Sequence, residues 1–551
     1  MGPTVLPLIT ADDARAADAA AIVAGDGPDV LMGRAAGHLA RTVVATAGYG
    51  AGLRVDVVVG RGDNGGDGWA AAPLLAARGA RVRVLAPDGL EMATSPAAAR
   101  ARAAWLADGG TVRTGSVTAH LVDGDGRAYA DVVVDCLLGT GATGPLRGSV
   151  IEAAAAVRMA RAGGATIVAC DLPTGVDADD GTVANGAVEA EVTVTFGALK
   201  RGLVLAPGAA HAGRVVVGGL GARFAAALPD AAADGTPGGW WTLTAAGVRP
   251  APSDPLDEKR RRGVVLVVAG RVGSAGAAVL AGRGALAAGA GLVTVAVPEP
   301  VRAEVAAAHP ALMTVGLPAD ADGGLHADAV HALPLDGVDA VVAGPGLGIG
   351  AGAAAVVAHL RERCGRLVLD ADALNVHRDA PDLLGEHPDG PDDVLVLTPH
   401  ARELDRIGGA GTSDARAERV PALAAGWRAH VVAKGPGTLL AAPDGTVHVD
   451  GSLVPALATG GSGDVLAGML GAALAGRGET SIARTLARTV WWHAAAGRIA
   501  GVRSGGRTDA TGVLDALPTV FARLAGAPVG GRVRDGGPSA RMSLDDLMEL
   551  R

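Results

Sequence analysis

Aromatic residues are almost missing from this sequence: three Phe, two Tyr and seven Trp make up 2% of 551 positions, although 49% are hydrophobic. The cores must therefore be built from Ala, Val and Leu, with 85 Gly allowing close backbone approach. That composition suits α/β layers better than an all-β sandwich. Cysteine is equally scarce. Cys136, Cys170 and Cys364 are odd in number, widely spaced and without a CxxC pair, which excludes a disulfide framework and reads as three buried, reduced thiols. A basic excess is absent too. The net charge of −9 gives no field that would gather nucleic-acid phosphates or anionic lipid. The N-terminus lacks a basic segment followed by an apolar run, and no uncharged apolar stretch reaches the ~18 residues of a membrane span. A cytoplasmic location is expected, with no nucleic-acid or membrane partner.

Lysine and asparagine occur three times each, as a GC-rich coding bias produces. Survivors of such pressure mark positions where Arg or Asp cannot substitute, because an ammonium is a compact point charge and a guanidinium a broad fork. Lys200, Lys434, Asn64 and Asn375 all fall in the motifs below. Lys259 and Asn185 do not.

A chain of 551 residues exceeds one hydrophobic core. Amphipathic helical spacing fills residues 10–48. LRVDVVVG (53–60) then reads as a strand, GRGDNGGDG (60–68) as a turn and WAAAPLLAARG (69–79) as a helix. RVRVLAP, ADVVVDCLLG and TIVACDLP repeat the strand signal, and the alternation implies a mostly parallel sheet with helices on both faces. Pro, Gly and charge cluster around 225–262. The expected divisions are 1–225, a linker at 226–244, a second domain at 245–525 and a tail from 526. The second α/β series contains GVVLVVAG, GLVTVAVP, DAVVAGPG, RLVLDADALN, DVLVLTPH and HVVAKGPG.

Three loops in the first half directly follow strands, where open parallel sheets bind ligands. They are 60–68, 135–146 and 171–177. Asp63, Asn64, Asp67, Asp135, Asp171 and Thr174 load them with oxygens, which suits a hard cation and a polar ligand better than a bare pyrophosphate. GxGxxG is present at 60–65, but the acids and following GGDG are foreign to a standard dinucleotide turn.

GRGDNGGDG, DCLLGTG, DLPTG and FGALK, in this order, resemble the NAD(P)H-hydrate epimerase family over about 8–222. The resemblance implies a Rossmann-like domain in which Asn64, Asp135 and Thr174 hold potassium. It also implies that Asp63, Asn64, Gly65, Gly66, Asp67, Gly139, Thr140, Gly141, Ala142, Thr143, Gly144, Pro145 and Asp171 hold the substrate, with Lys200 close by. Asp63 replaces the usual Asn, Thr174 replaces Ser, and Gly33 stands where Glu is common. Epimerisation at a carbon bonded to ring nitrogen needs a proton shuttle and no redox centre, and Asp171 with Lys200 is the expected catalytic pair.

In the second half, ATGGSGDVLAGML (458–470) combines small residues at a helix N-terminus, an anion-binding nest, with Asp464 placed to deprotonate a hydroxyl attacking phosphate. This segment resembles the ribokinase-like superfamily. GPGLG (344–348), DADALN (370–375), LTPHARE (397–403) and KGPGT (434–438) narrow the resemblance to ADP/ATP-dependent NAD(P)H-hydrate dehydratases over about 245–520. It implies that Ala277, Gly346, His400 and Asp464 line the hydrate site. Lys434, Gly435, Pro436, Gly437, Thr438 and Gly463 would hold ADP or ATP, with Mg²⁺ between the phosphates. Arg402 replaces a usual Gly, which puts that loop's shape in question. Asp370 and Asp372 either position magnesium or cap strand ends.

The joint expectation is two three-layer αβα domains, N-terminal Rossmann-like and C-terminal ribokinase-like, repairing hydrated NADH or NADPH, with self-association into a homo-oligomer. Two rivals remain: a ribokinase-like small-molecule kinase with a regulatory first domain, and a first domain that only binds a protein, RNA or lipid carrier.

Overall fold

The computed structural model describes residues 4–90, 95–228, 237–250, 256–387, 390, 392–408, 416–476 and 481–525. The expected tail from 526 lies outside them. The chain forms two compact units that divide within 229–236, and residues 4–6 belong with the second.

In the first unit seven strands run parallel. Their spatial order is Thr111–Thr114, Arg81–Ala86, Arg54–Val59, Val132–Cys136, Thr166–Cys170, Val192–Phe196 and Arg214–Gly218. Numbered along the chain this is 3-2-1-4-5-6-7, so the order reverses between Arg54–Val59 and Val132–Cys136, where such sheets open a ligand crevice. Side-chain alternation builds the layers. Val55, Val57 and Val59 face a core shared with helices Pro28–Ala47 and Asp63–Ala76, while Val58 and Val133 face one shared with helix Ser149–Ala162.

The structure corrects the expected turn at 60–68: helix Asp63–Ala76 already starts inside it. Glycine is a poor helix former, but here packing overrides propensity. A Cβ on Gly65 would stand 2.1 Å from the Gly60 carbonyl oxygen, and one on Gly68 would stand 2.9 Å from Cys136 Sγ. Only glycine lets this helix start lie against the strand ends. Cys136 and Cys170 are fully buried as expected, whereas Cys364, at the end of helix Ala351–Arg363, is only partly buried.

In the second unit the order is Met313–Leu317, Leu292–Pro298, Val264–Val268, Ala340–Ala343, Arg366–Leu369, Val394–Leu397, His430–Ala433, Thr438–Ala441, Val447–Asp450 and Trp240–Leu243. Pairing is parallel as far as His430–Ala433, and Thr438–Ala441 is antiparallel to both its neighbours. Residues 240–243, expected in the linker, instead form a strand parallel to Val447–Asp450. The order again reverses, between Val264–Val268 and Ala340–Ala343. Val265, Val267, Val295 and Val342 pack against helices Ala275–Ala287 and Ser462–Ala475. Trp491, Trp492 and Val513 form a further core between helices Ile482–Arg503 and Ala510–Leu524. Among the described residues no helix is long and apolar enough to cross a membrane.

Candidate functional sites

The first site opens at the reversal point of the N-terminal sheet as a cleft of 1120 Å³. Asp63, Asn64, Asp67, Gly139, Thr140, Gly141, Ala142, Asp171 and Lys200 line it. Thr143, Gly144 and Pro145 line an adjoining 560 Å³ cleft instead. Gly65 and Gly66 serve packing, buried in the helix start.

Asp171 follows strand Thr166–Cys170 and has φ +64°, a left-handed conformation that non-glycine residues rarely adopt. The bend aims its carboxylate at Lys200. The buried Lys200 Nζ donates to Asp171 Oδ1 at 2.7 Å, to Thr195 Oγ1 at 3.0 Å and to the Phe196 carbonyl at 2.8 Å. Thr195 Oγ1 and the Phe196 N–H also donate to Asp171 Oδ1. Desolvation, reinforced by Asp171, Asp63 and Asp18, pushes the Asp67 carboxyl well above the usual range. Asp63 accepts from Ser95 Oγ. Gly33 faces open space, so the missing Glu leaves no packing defect.

Asp135 and Thr174 are wholly buried. The Thr174 hydroxyl donates to Asp135 Oδ1 at 2.7 Å and its N–H to Oδ2 at 2.8 Å. Burial raises the Asp135 pKa against these bonds. Asn64 Nδ2 donates to the Leu138 carbonyl, and the Leu138 N–H donates to Thr174 Oγ1, so all three expected cation ligands meet at one turn. Among the described residues the buried Asn64 Oδ1 has no hydrogen-bond partner. An orphaned amide oxygen beside a carboxylate and a hydroxyl is a donor set that fits a hard monovalent cation.

The second site lies at the carboxyl ends of the C-terminal sheet. Helix Ser462–Ala475 begins after Gly461, whose φ is +86°, and carries Asp464 in its first turn. Burial pushes the Asp464 carboxyl up to about 7; Asp370, Asp372 and Glu403 add to the shift and Lys434 opposes it. Lys434 Nζ donates to Asp370 Oδ1 at 2.5 Å, and Thr398 Oγ1 donates to the same oxygen at 2.6 Å. A Cβ on Gly463 would stand 3.1 Å from that ammonium, so Lys434 overlies the helix start. Burial works against the Lys434 charge, yet Asp370 and Glu403 outweigh it and raise the pKa.

Gly435, Pro436 and Gly437 lie in the turn between strands His430–Ala433 and Thr438–Ala441, and Thr438 opens the second of these strands. Gly346 packs on Ala277, which joins the two residues expected at the hydrate site. His400 is an N-cap: Nδ1 accepts from the Arg402 and Glu403 N–H groups. Arg402 fits this helical turn without positive φ, so its side chain leaves the backbone unstrained. Asp372 accepts from the Gly348 N–H and from Asn375, and Asp370 accepts from Lys434 and Thr398. Among the described residues no three His, Cys, Asp or Glu side chains converge to hold a metal by themselves.

Three contributors escaped the motifs. Asp18 lines the first cleft. Arg416, its pKa lowered to about 10 by burial, donates to the Pro436 and Ala433 carbonyls and braces the 434–438 turn. His493, neutralised by burial that lowers its pKa to about 4, donates to the Ser462 carbonyl and steadies the start of the Asp464 helix. Each is one residue in an otherwise ordinary helix, so only its neighbours reveal it.

A family model described as NAD(P)H-hydrate dehydratase matches residues 265–519, and one described as YjeF-related protein N-terminus matches 28–202. The bifunctional NAD(P)H-hydrate repair enzyme of Moorella thermoacetica is 37% identical over 87% of this chain and 89% of its own. That of Mycobacterium tuberculosis is 36% identical over 84% and 88%. The solved ADP/ATP-dependent NAD(P)H-hydrate dehydratase from Bacillus subtilis, co-crystallized with ATP/Mg²⁺, is 27% identical, with 50% of this chain and 95% of that chain covered and a TM-score of 0.43. Through relatives matched over most of both chains, with the two domains in the same order, this chain belongs to the bifunctional NAD(P)H-hydrate repair enzymes.

Proposed function

We propose that the N-terminal unit interconverts the R and S hydrates of NADH or NADPH, and that the C-terminal unit dehydrates the S form with ADP or ATP. The observation that carries this reading is the convergence of Asp464, Lys434 and Gly463 at one helix N-terminus, a phosphoryl-transfer arrangement.

Hydroxide leaves poorly at neutral pH, and phosphate leaves well. Asp464 takes the proton of the hydrate's hydroxyl, whose oxygen attacks the terminal phosphate. The bond to the departing nucleotide breaks, releasing AMP from ADP or ADP from ATP. The phosphorylated hydrate then eliminates: the C–O bond breaks with its electron pair leaving on phosphate, the adjacent carbon gives up a proton to that departing phosphate, and the C–H electrons restore the ring double bond. Lys434 and the N–H groups from Gly461 to Gly463 meet the charge that builds on phosphate. Mg²⁺, borne by the nucleotide phosphates, would neutralise part of their charge. Ala277, Gly346 and His400 would bound the hydrate.

In the first unit Asp171 and Lys200 form the charged face toward the hydrated ring. Asn64, Asp135 and Thr174 would hold potassium, which would lend positive charge beside the substrate loops.

The test supplies mixed R and S NADH hydrate with Mg²⁺ and ADP or ATP, and follows the near-ultraviolet absorbance of the restored ring. Recovery of both epimers faster than spontaneous epimerisation supports the reading. No nucleotide-dependent recovery overturns it and returns the small-molecule kinase to first place.

A further inference from the structure

We propose that Asp18 is the proton-transfer residue of the epimerase site, giving a proton to the departing hydroxyl of the hydrate and taking one back when water returns. The inference rests on the epimerase reading above and divides its chemistry differently from an Asp171–Lys200 pair alone.

Asp171 is already engaged: its Oδ1 accepts three donors, one of them the buried Lys200 Nζ at 2.7 Å. Asp18 is in the opposite position. It projects from helix Ala11–Val23 into the same cleft, is half-buried, and makes no hydrogen bond among the described residues.

Its helix is anchored at the start. Thr10 and Asp13 form a reciprocal capping box, and the Ala11 N–H donates to Asp179 at 2.6 Å. The preceding residue, Ile9, pairs in parallel register with Lys200 itself. The helix carrying Asp18 is thus tied to the strand carrying the site's ammonium, which holds the two side chains in fixed relation.

The groups facing Asp18 are Lys200, Asp171 and Asp63, with Asp67 within their field and Arg15 on its own helix lining the cleft. Burial raises the Asp18 carboxyl to about 6, Lys200 opposes the shift, and Asp171 and Asp63 add to it. Near neutral pH both forms are available, as a group that must give and regain a proton requires.

The step balances. The Asp18 carboxyl protonates the hydroxyl on the carbon bonded to ring nitrogen. The C–O bond breaks, its electron pair leaves with water, and the nitrogen lone pair fills the vacancy, leaving one positive charge on the ring. The Asp171 carboxylate meets that charge. Water adds to the opposite face and its proton goes to Asp18. No electron or proton is gained or lost overall.

The full chain provides its own control, because dehydration of the S hydrate reports on the other unit. With pure R hydrate, Mg²⁺ and ADP, Asp18→Asn is expected to slow restoration of NADH about 100-fold, the lower range for loss of a general acid, while S hydrate is dehydrated at the wild-type rate. The pH dependence separates chemistry from packing. After subtraction of the spontaneous rate, wild-type epimerisation should fall as pH rises through about 6, as the acid form is lost. Asp18→Glu should epimerise with this limb displaced. Wild-type epimerisation by Asp18→Asn, or an undisplaced limb in Asp18→Glu, overturns the proposal. A wild-type chain that does not epimerise at all overturns the epimerase reading instead.

Discussion

Lys434 donates to Asp370 across 2.5 Å, and the same ammonium stands 3.1 Å from where a Cβ on Gly463 would lie. One of the chain's three lysines therefore joins the end of strand Arg366–Leu369 to the helix that presents Asp464. Lys200 holds Asp171 in the same manner in the other unit.

Breaking that pair should harm both stability and activity. Lys434→Met leaves a fully buried carboxylate without its counter-charge, and loss of one partner of a buried pair costs about 3–5 kcal/mol. Urea unfolding should register this. Lys434→Arg keeps the charge, but a planar fork does not fit over Gly463, so the KM for ADP should rise at least about tenfold.

In the proposed mechanism Asp464 is the base, so the reaction would need its ionised form. With its pKa raised to about 7, the dehydration rate should climb as pH rises through about 7 and level off above it. Asp464→Asn should reduce the rate by about 100-fold or more and remove the climb. A rate that falls over this interval would refute the assignment.

The orphaned Asn64 Oδ1 predicts a cation effect on stability that is independent of activity. Potassium chloride should raise the melting temperature of the wild type above that in choline chloride at equal ionic strength. Asn64→Leu should abolish the difference. Thr174→Val, which removes the 2.7 Å bond to buried Asp135, should cost about 1–3 kcal/mol as well.

Gly346 has φ +59°, and an added Cβ would lie 2.9 Å from Ser274 Cβ and 3.0 Å from Ala277 Cβ. Gly346→Ala should thus combine backbone strain of about 1–2 kcal/mol with displacement of Ala277. The expected result is a raised KM for the S hydrate with epimerisation intact, measured on each epimer separately.

The legible part of this molecule consisted of local pattern. Valine-rich runs such as 57–59 and 264–268 announced strands because a strand buried on both faces needs apolar residues at successive positions. The loops that follow them announced sites because their oxygens and glycines are wasted elsewhere. Two features were misread locally. DNGGDG has the composition of a turn, and became helix because packing against Gly60 and Cys136 excludes any larger residue. Residues 240–243 sit in a stretch rich in Pro and Gly, and became strand because Val447–Asp450 offered an unpaired edge.

By itself the sequence determined the α/β alternation, the two loop sets and the rare Lys and Asn at their centres, since each depends on residues within a few positions of one another. Only the tertiary structure decided that Asp18 faces Lys200, that His493 steadies a helix start and Arg416 a turn from neighbouring helices, and that Asp372 bonds Gly348 while Asp370 pairs with Lys434. Those relations join residues from 17 to well over a hundred positions apart or turn on individual hydrogen bonds. They exist only once sheet order brings the strand ends together, and burial then sets the charge each group can hold.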